Sequence, residues 1–364
     1  MARTVFVTGV SRSLGDRMVR ELIEDPAVDH VVAVDVIPPR GDIGGAQFVR
    51  ADIRNPSISK VLEASGADTV VHMGVIATPL QAGGRASMKE INVIGTMQLL
   101  AACQRSATVQ RLVVRSTSMV YGAGPKDPAA FTEDTEPKSP PTGGWGKDSV
   151  EVEGYVRGFA RRRPDVSVTM LRFANVLGPT VSTATTAYFS LPVVPTVLGH
   201  DARMNFIHED DLIESLRRAA VGDQSGTFNV AGDGVIMLSQ AIRLAGRQSL
   251  PLPGRLVGLV GGRLTRGSLP DFSPGQVQYL TYGRGLDLTR LHAGFGFIPA
   301  FTTRETFESF VAESDEDRSG GRRSRDRFEA IEQGIAHALG VRTVTENFTA
   351  ECLTDAEMLE VPYA

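Results

Sequence analysis

The sequence predicts an α/β fold built on a doubly wound parallel sheet, and three observations lead to this prediction. Strand and helix patterns alternate through the first half of the chain, as parallel strands joined by crossover helices require. The first predicted strand contains the unbroken apolar run Val5–Val7, which is typical of a strand buried on both faces. At 364 residues, the chain is long enough for one large α/β domain and a smaller lobe.

The predicted elements follow one another in the order that such a sheet needs. Each predicted strand is a short apolar or β-branched run, and each predicted helix carries apolar residues at helical spacing. The strands are predicted at 5–8, 31–34, 47–49, 69–74, 110–118, 168–175 and 227–230, and the helices at 16–23, 58–63, 88–102, 149–163, 237–246 and 303–312. A loop rich in Pro, Gly and Asp runs up to Gly146, and we expect it to lie over the site.

The domain organisation is predicted from changes in this pattern. At about residue 179 the alternation loosens, and proline-punctuated segments suggest a smaller lobe that closes over the carboxyl edge of the sheet. After about residue 313 the composition shifts to charged and Gly-rich segments that are typical of a solvated linker. We predict a sheet domain over 1–178 with about 203–232, a smaller C-terminal substrate-binding lobe from 179–202 and 233–312, and a linker with a C-terminal tail over 313–364.

Composition argues against several classes of partner. The formal net charge of -4 gives no general attraction to nucleic acid or to a membrane surface. The longest apolar stretches are broken by Pro and Gly, and no secretory signal pattern is present. Two cysteines, Cys103 and Cys352, suit a reducing cytosol, and the six histidines show no metal-ligand spacing. We therefore expect a cytoplasmic protein with no metal site, no nucleic-acid partner and no membrane segment.

The turn after the first strand has the pattern of a dinucleotide site. It lies between the strand and a predicted helix, whose first backbone N–H groups and positive dipole end face the contents of the turn. The candidate phosphate-binding residues are Gly9, Ser11, Arg12, Ser13, Leu14 and Gly15. Pyrophosphate is the usual occupant of such a turn.

Asp35 ends the second predicted strand, twenty residues beyond Gly15. At that distance a carboxylate can accept both ribose hydroxyls of a dinucleotide adenosine. Because Asp35 would repel a 2′-phosphate, we expect NAD rather than NADP. In the alternative interpretation, the glycines only make a tight turn and Asp35 is a turn residue at a strand end.

Five further stretches, together with this turn, resemble one family in the same order along the chain. They are 51–54 (ADIR), 91–96 (INVIGT), 116–122 (STSMVYG), 171–179 (LRFANVLGP) and 206–211 (FIHEDD). Over about residues 3–310 the chain resembles the extended short-chain dehydrogenases/reductases of the NAD-dependent epimerase/dehydratase family, the relatives of UDP-glucose 4-epimerase. The resemblance implies a Rossmann-type sheet, a nicotinamide cofactor and a nucleotide-sugar substrate.

The turn matches the family's Thr-Gly-x-x-Gly-x-x-Gly pattern at Thr8, Gly9 and Gly15 and departs from it at the middle glycine. Arg12 stands at that position, or Ser13 when the turn is compared with the short-chain branch. Arg12 could offset the lost glycine as a cation beside the pyrophosphate or near a 2′-phosphate.

The resemblance implies further binding residues and an assembly. Cofactor contacts fall on Asp52, Ile53, Met73, Gly74, Val75, Asn92 and Ser116, and substrate contacts fall on Asn175, Arg203 and His208. Arg203 lies one place before Met204, which occupies the position of the family's phosphate-binding Arg. A homodimer is also implied, paired through the helices that match 88–102 and 149–163.

The family's acid/base pair is missing from this chain. In the family a Tyr phenolate removes the hydroxyl proton while hydride passes to the nicotinamide. A Lys four residues later lowers the pKa of that Tyr, since a bare phenol at ~10 is too weak a base. Alignment through Glu153 places Trp145 at the Tyr and Ser149 at the Lys, and no Tyr precedes any of the five lysines by four residues. Thr117 fills the Ser/Thr role that orients the substrate oxygen.

Three other ionisable residues are candidate replacements, and for each a structural role is the favoured interpretation. In another alignment register, Lys147 occupies the position of the family's Lys, but Gly143 then occupies the position of its Tyr. Tyr121 matches a family residue that lies behind the strand end. His208 matches a family residue with a structural role. The acidic pair of the family's dehydratases is replaced by Ser118 and Met119.

Two functions therefore stay open. One is a nucleotide-sugar epimerase or dehydratase, an isomerase or oxidoreductase, with non-standard acid/base residues. The other is a catalytically inactive nucleotide or nucleotide-sugar binding protein that acts as a sensor or a partner subunit.

Overall fold

The computed structural model describes residues 3–11, 13–39, 41–73, 76, 83–258 and 272–319, without the side chains of 13 and 314–319. Three predicted cofactor residues, Arg12, Gly74 and Val75, lie outside the described residues, as does the tail beyond Ser319. No helix among the described residues is long and apolar enough to cross a membrane. In the same part of the chain, no group of three His, Cys, Asp or Glu residues could hold a metal ion.

A seven-stranded parallel sheet forms the centre of the molecule. The strands along the chain are β1 Arg3–Thr8, β2 Val28–Asp35, β3 Gln47–Arg50, β4 Thr69–His72, β5 Arg111–Thr117, β6 Ser167–Phe173, β7 Asn175–Leu177, β8 Val193–Val197, β9 Arg203–Met204, β10 Phe206–His208, β11 Gly226–Val230, β12 Ile236–Met237 and β13 Gln248–Leu252. The sheet has the order β3-β2-β1-β4-β5-β6-β11, and all its neighbours are parallel. The predicted Rossmann-type doubly wound sheet is confirmed.

The other strands pair in twos, and helices cover the sheet and build the lobe. Strand β7 pairs with β10 and β8 with β13 in parallel, whereas β9 and β12 are antiparallel. The α-helices are Ser13–Glu24, Ile58–Ser65, Arg85–Lys89, Thr96–Arg105, Gly144–Arg162, Ala184–Phe189, Glu209–Val221, Leu238–Leu244, Pro274–Tyr282 and Thr303–Ser319. Two π-helical segments, Glu90–Gly95 and Leu291–Phe295, and a 3₁₀ turn, Ser118–Tyr121, complete the described helical elements.

Two apolar clusters cover the two faces of the sheet. Side chains alternate along a strand, so Val5 and Val7 pack with the helices that begin at Ser13 and Glu209, while Phe6 packs on the opposite face. A third cluster, formed largely by the lobe, is rich in aromatic rings, and Phe189 meets Phe307 edge-on at 4.9 Å. The domain division remains a prediction.

Among the differences between the predicted and observed element bounds, three concern long helices. The helix predicted to start at Ser149 begins at Gly144, and the helix predicted over 303–312 continues to Ser319, into the predicted linker. The helix predicted over 88–102 contains the π-helical segment Glu90–Gly95. The early start at Gly144 has a tertiary cause, because Arg85 donates to both oxygens of Asp148 at 2.6 Å and to the Gly144 carbonyl at 3.1 Å.

Candidate functional site

The turn after β1 has the shape of a phosphate cradle. Gly9 has a φ of 80°, a conformation that favours glycine. A Cβ on Gly15 would lie 2.2 Å from the Gly9 carbonyl oxygen, so the helix Ser13–Glu24 approaches the turn as closely as backbone allows. The turn lies between β1 and β4, where the strand order reverses and such sheets bind ligands. The described part of the turn therefore fits a dinucleotide pyrophosphate at a helix N-terminus.

Asp35 holds the turn in place. One carboxylate oxygen accepts hydrogen bonds from the Ser11 backbone N–H at 3.0 Å and from the Ser11 hydroxyl at 2.8 Å. The other oxygen accepts from the Val36 N–H at 2.7 Å. These three bonds leave about one acceptor site free, since an ionised carboxyl group offers about four, so one ribose hydroxyl and not both can be accepted without losing a bond to the protein. Asp35 thus lies beside the turn, as its predicted ribose contact requires.

The predicted cofactor contacts Asp52 and Ile53 have local partners. Arg54 lies against Asp52, with Nη2 at 2.6 Å from Oδ2, and the hydrogen bonds from Arg54 hold the pKa of Asp52 below its ordinary value. Ile53 packs on the helix that carries Asn92, where a Cβ on Gly95 would lie 2.7 Å from Ile53 Cδ1. Asp52 therefore stays ionised and paired with Arg54.

Asn92 acts on backbone at the end of β4. Its Nδ2 donates to the Ile76 carbonyl and its Oδ1 accepts from the Ile76 N–H, both at 2.8 Å. Met73 is buried, and its N–H donates to the Thr8 carbonyl at 3.1 Å. The structure thus places Asn92 as a support for the segment after β4, a role that the sequence comparison did not specify.

A cleft of about 230 Å³ opens beyond the carboxyl ends of β5 and β6. One wall comes from the sheet and from the helix Gly144–Arg162, and the other comes from the lobe. The predicted residues that line it are Ser116, Thr117, Trp145 and Asn175. Of the three predicted substrate contacts, Asn175 lines the cleft, whereas Arg203 and His208 do not.

The described residues that line this cleft include no Asp, Glu, His, Lys, Tyr or Cys. Trp145 carries only an indole N–H, which is a donor without an ionisable proton. Ser149, one helical turn later, is buried and donates its hydroxyl hydrogen to the Trp145 carbonyl at 3.0 Å. The hydroxyl oxygen of Thr117 accepts from the Met119 N–H at 3.2 Å, so its own hydrogen stays available to a ligand.

Tyr121 is not the missing base. Its hydroxyl donates to Asn229 Oδ1 at 2.7 Å and accepts from Arg172 Nη1 at 2.8 Å, and burial raises its pKa to about 12. Arg172 in turn binds Glu153, which also accepts from Ser116 at 2.6 Å. Tyr121 therefore belongs to a buried polar network beneath the cleft, which agrees with the structural role expected for it.

His208 and Lys147 also lie away from the cleft. His208 Nδ1 accepts from the Asp210 N–H at 3.2 Å and caps the helix Glu209–Val221, while Nε2 lies 3.2 Å from Ser309 Oγ. Its ring stacks on Phe301 at 3.9 Å between centroids. Lys147 is exposed. Neither residue lines the cleft, and the structure does not support His208 as a substrate contact.

Arg284 is a cleft residue that sequence reasoning missed. It is 5% exposed, and its guanidinium donates to the Gly122 carbonyl at 2.8 Å and to Ser118 Oγ at 3.3 Å. Burial lowers its pKa to about 10, although the charge of the nearby Asp127 carboxylate acts in the opposite direction. Its signal in the sequence is an arginine between two glycines, Gly283-Arg284-Gly285, which is too common to single out.

Arg284 also lines a smaller cavity of about 110 Å³ next to the cleft, and Arg203 lines the same cavity. Strand β9 brings them together, because the Arg284 N–H donates to the Arg203 carbonyl at 2.7 Å. Asp127 lines the same cavity, and both of its carboxylate oxygens are buried without a hydrogen-bond partner among the described residues. The cavity therefore holds two guanidinium groups and one carboxylate.

Acid is expected to destabilise the fold through His72, which is fully buried at the end of β4. Burial lowers its pKa to about 4, from 6.5. The unfolded chain then takes up a proton at higher pH than the folded chain, so this stability is present above about pH 6.5 and is lost towards pH 4. We expect about 2 kcal/mol to be lost between about pH 8 and pH 5. Urea unfolding at the two pH values measures this loss in the free energy of unfolding. An equal loss in the His72→Gln variant would contradict the assignment to His72.

The parallel sheet and the glycine turn after β1 define a protein with a Rossmann-type fold, and a cleft opens at the carboxyl ends of its strands. The chain belongs to the NAD dependent epimerase/dehydratase family, whose sequence profile matches residues 5–231. It is 45% identical over 312 residues to the uncharacterized protein Rv0501 of Mycobacterium tuberculosis, covering 85% of this chain and 83% of that protein.

Two solved structures are similar in fold. One is the UDP-glucose 4-epimerase of Thermotoga maritima with UDP-glucose, with a TM-score of 0.66 and 20% identity over 86% of this chain and 99% of that one. The other is the UDP-glucose 4-epimerase of Thermus thermophilus with NAD, with a TM-score of 0.65 and 20% identity over 86% of this chain and 99% of that one. At 20% identity, this similarity shows that the chain shares the fold of these two structures.

Proposed function

We propose that the protein binds NAD in the turn after β1. Support comes from the glycine cradle at Gly9 and Gly15, from the helix N-terminus that faces it, and from the carboxylate of Asp35 beside it. When bound, NAD would supply a hydride acceptor at its nicotinamide ring. NAD is favoured over NADP because Asp35 would repel a 2′-phosphate.

The second proposed ligand is a nucleotide sugar in the cleft. Asn175 and Arg284 line the cleft, and Arg203 lines the adjoining cavity. Two guanidinium groups and an amide suit a diphosphate, because charged donors bind phosphate oxygens strongly. The nucleotide sugars named in the similar structures have such a diphosphate, which supports this choice.

The proposed function is binding of both ligands without oxidation of the sugar. The single observation that carries it is the lining of the cleft, which among the described residues contains no group able to accept a hydroxyl proton near neutral pH. Trp145 occupies the position assigned to the base, and Ser149 the position assigned to its cation. Such a protein would act as a sensor or as a partner subunit.

A second candidate function is a nucleotide-sugar epimerase or dehydratase with another proton acceptor. Family membership and the hydroxyl of Thr117, which lines the cleft, favour it. Two measurements during incubation with a panel of nucleotide sugars separate the two functions: the absorbance of the bound nicotinamide and chromatography of the sugars. Both are needed because an epimerase or dehydratase returns the hydride to the sugar and can leave the absorbance unchanged. We expect bound cofactor with no spectral change and no new sugar, and either change would instead support the enzyme.

Removing the charge of Arg284 is expected to weaken nucleotide-sugar binding. Arg284→Gln keeps hydrogen-bonding groups but loses the buried cation, so we expect the Kd for UDP-glucose to rise at least tenfold, by about 1.4 kcal/mol or more. Calorimetry on the full-length protein measures this. The control is Arg304→Gln, which removes an exposed charge paired only with Glu308 and should leave the Kd unchanged. Equal affinities for wild type and Arg284→Gln would remove Arg284 from the site.

The homodimer remains a proposal that exposed apolar side chains support. Ile94, Met97, Val150 and Tyr155 are 40%, 37%, 37% and 41% exposed and lie on the helical elements assigned to the interface. We expect a dimer by light scattering and a shift towards monomer in Met97→Arg, because a buried unpaired charge is costly. A wild-type monomer would rule out this pairing.

Cytoplasmic location is likewise proposed, because Cys103 is buried and free.

A further inference from the structure

The acceptor positions of the Asp35 carboxylate are unevenly occupied. Oδ2 accepts two hydrogen bonds, from the Ser11 backbone N–H at 3.0 Å and from the Ser11 hydroxyl at 2.8 Å. Oδ1 accepts one, from the Val36 N–H at 2.7 Å. Each oxygen of an ionised carboxyl group offers about two acceptor positions. Donors from the described residues therefore fill Oδ2 and leave about one position on Oδ1.

A ribose presents two neighbouring hydroxyl groups, and a contact to both oxygens of a carboxylate places one hydroxyl on each. The first hydroxyl can take the position left on Oδ1. The second hydroxyl can take a position on Oδ2 only after one of the two Ser11 donors has left. Binding of the whole diol by Asp35 therefore requires a bond within the protein to break.

The hydroxyl of Ser11 is the donor that can leave. The backbone N–H of Ser11 belongs to the turn after β1, which is held at its start because the Gly9 N–H donates to the Val34 carbonyl at 3.1 Å. The hydroxyl instead turns away by rotation about one side-chain bond. In that case one hydrogen bond to Asp35 replaces another of the same kind, and such an exchange adds little to affinity.

We propose that the hydroxyl of Ser11 competes with the adenosine ribose for Asp35, so that Ser11 determines how weakly this site distinguishes ribose from deoxyribose. This inference rests on the proposed binding of NAD, and Ser11 is a positioning residue that acts through Asp35. With the hydroxyl removed, Oδ2 is open to the second ribose hydroxyl, and that group then adds to the affinity. A cofactor held through one ribose hydroxyl exchanges more readily with free NAD, which suits the proposed sensor.

The test measures the Kd of ADP and the Kd of 2′-deoxy-ADP for the full-length wild type, Ser11→Ala and Ser11→Thr by calorimetry. The two ligands differ by one hydroxyl group, so their equal contacts to the diphosphate cancel in the ratio of the two Kd values. For the wild type we expect 2′-deoxy-ADP to bind at most about threefold more weakly than ADP, and for Ser11→Ala about tenfold or more. Ser11→Thr keeps a hydroxyl group and should give the wild-type ratio.

Thermal unfolding shows that each variant is folded. If Ser11→Ala does not fold, Ser11→Cys replaces the hydroxyl by a thiol, which is only a weak donor, and should raise the ratio in the same direction.

The outcomes separate this inference from the function on which it rests. If the wild type binds NAD and ADP but a folded variant without the hydroxyl keeps the wild-type ratio, the role of Ser11 is overturned while NAD binding stands. A wild-type ratio already above about tenfold also overturns it, because the second hydroxyl would then contribute fully with Ser11 present. If the wild type binds neither ligand, the proposed cofactor function fails and the role of Ser11 fails with it.

Discussion

Gly15→Ala is expected to abolish measurable NAD binding, with the Kd raised roughly 100-fold or more. The added Cβ would lie 2.2 Å from the Gly9 carbonyl oxygen and 2.8 Å from Val10 Cα. Both are backbone atoms and cannot rotate away, so either the turn or the start of the helix must move. That movement misaligns the backbone N–H groups that would bind pyrophosphate. Isothermal titration of NAD into the full-length variant measures the effect.

The matched control is Gly154→Ala, in the helix Gly144–Arg162. A Cβ there meets nothing within 4 Å, and alanine in a helix is more stable than glycine by about 1 kcal/mol. This variant should bind NAD like wild type and unfold at a slightly higher temperature. If Gly15→Ala also bound NAD with wild-type affinity while remaining folded, the turn would not be the cofactor site.

Replacing Trp145 by Tyr and Ser149 by Lys together is expected to create oxidation of a nucleotide sugar where the wild type shows none. The two residues lie one turn apart on one helix, and the Ser149 hydroxyl reaches the Trp145 carbonyl at 3.0 Å. An ammonium group at 149 would favour a phenolate at 145, and a positioned base contributes about 10²- to 10⁴-fold in rate. The readout is the reduced-nicotinamide absorbance during incubation with UDP-glucose and related sugars.

The control for this gain of activity is Trp145→Phe with Ser149→Lys. It carries the same new cation and a ring of similar size but has no phenol, so it should stay inactive. A folded Trp145→Tyr/Ser149→Lys variant that binds both ligands and still shows no cofactor reduction would contradict the view that a proton acceptor is what the cleft lacks.

The sheet and the turn could be predicted from the sequence because their signals are local. The apolar runs of β1 and β2, the glycines of the turn and Asp35 at the end of β2 all lie within the first 35 residues. A strand of a parallel sheet is buried on both faces and therefore needs a continuous run of apolar residues. Such a run in the sequence thus predicts the buried strand. The position of Thr117 could also be predicted from a local signal, because it ends the apolar run of β5 and ligands of such sheets bind at the carboxyl ends of strands.

The rest depends on contacts between distant parts of the chain. Arg284 reaches the cleft only because its segment packs beside Arg203 and Gly122, far away in sequence. The helix that starts at Gly144 looked like a loop because glycines are poor helix formers, and Arg85 compensates across the fold. Asn92 was assigned to the cofactor by resemblance, but its amide is bonded to backbone, which no local pattern reveals.

Titrating NAD into the purified full-length protein in a calorimeter decides whether the turn after β1 is a dinucleotide site. We predict a saturable heat with one NAD per chain, and none with Gly15→Ala. A folded wild-type protein that gives no binding heat at any NAD concentration, and no shift in thermal unfolding on adding NAD, would contradict it.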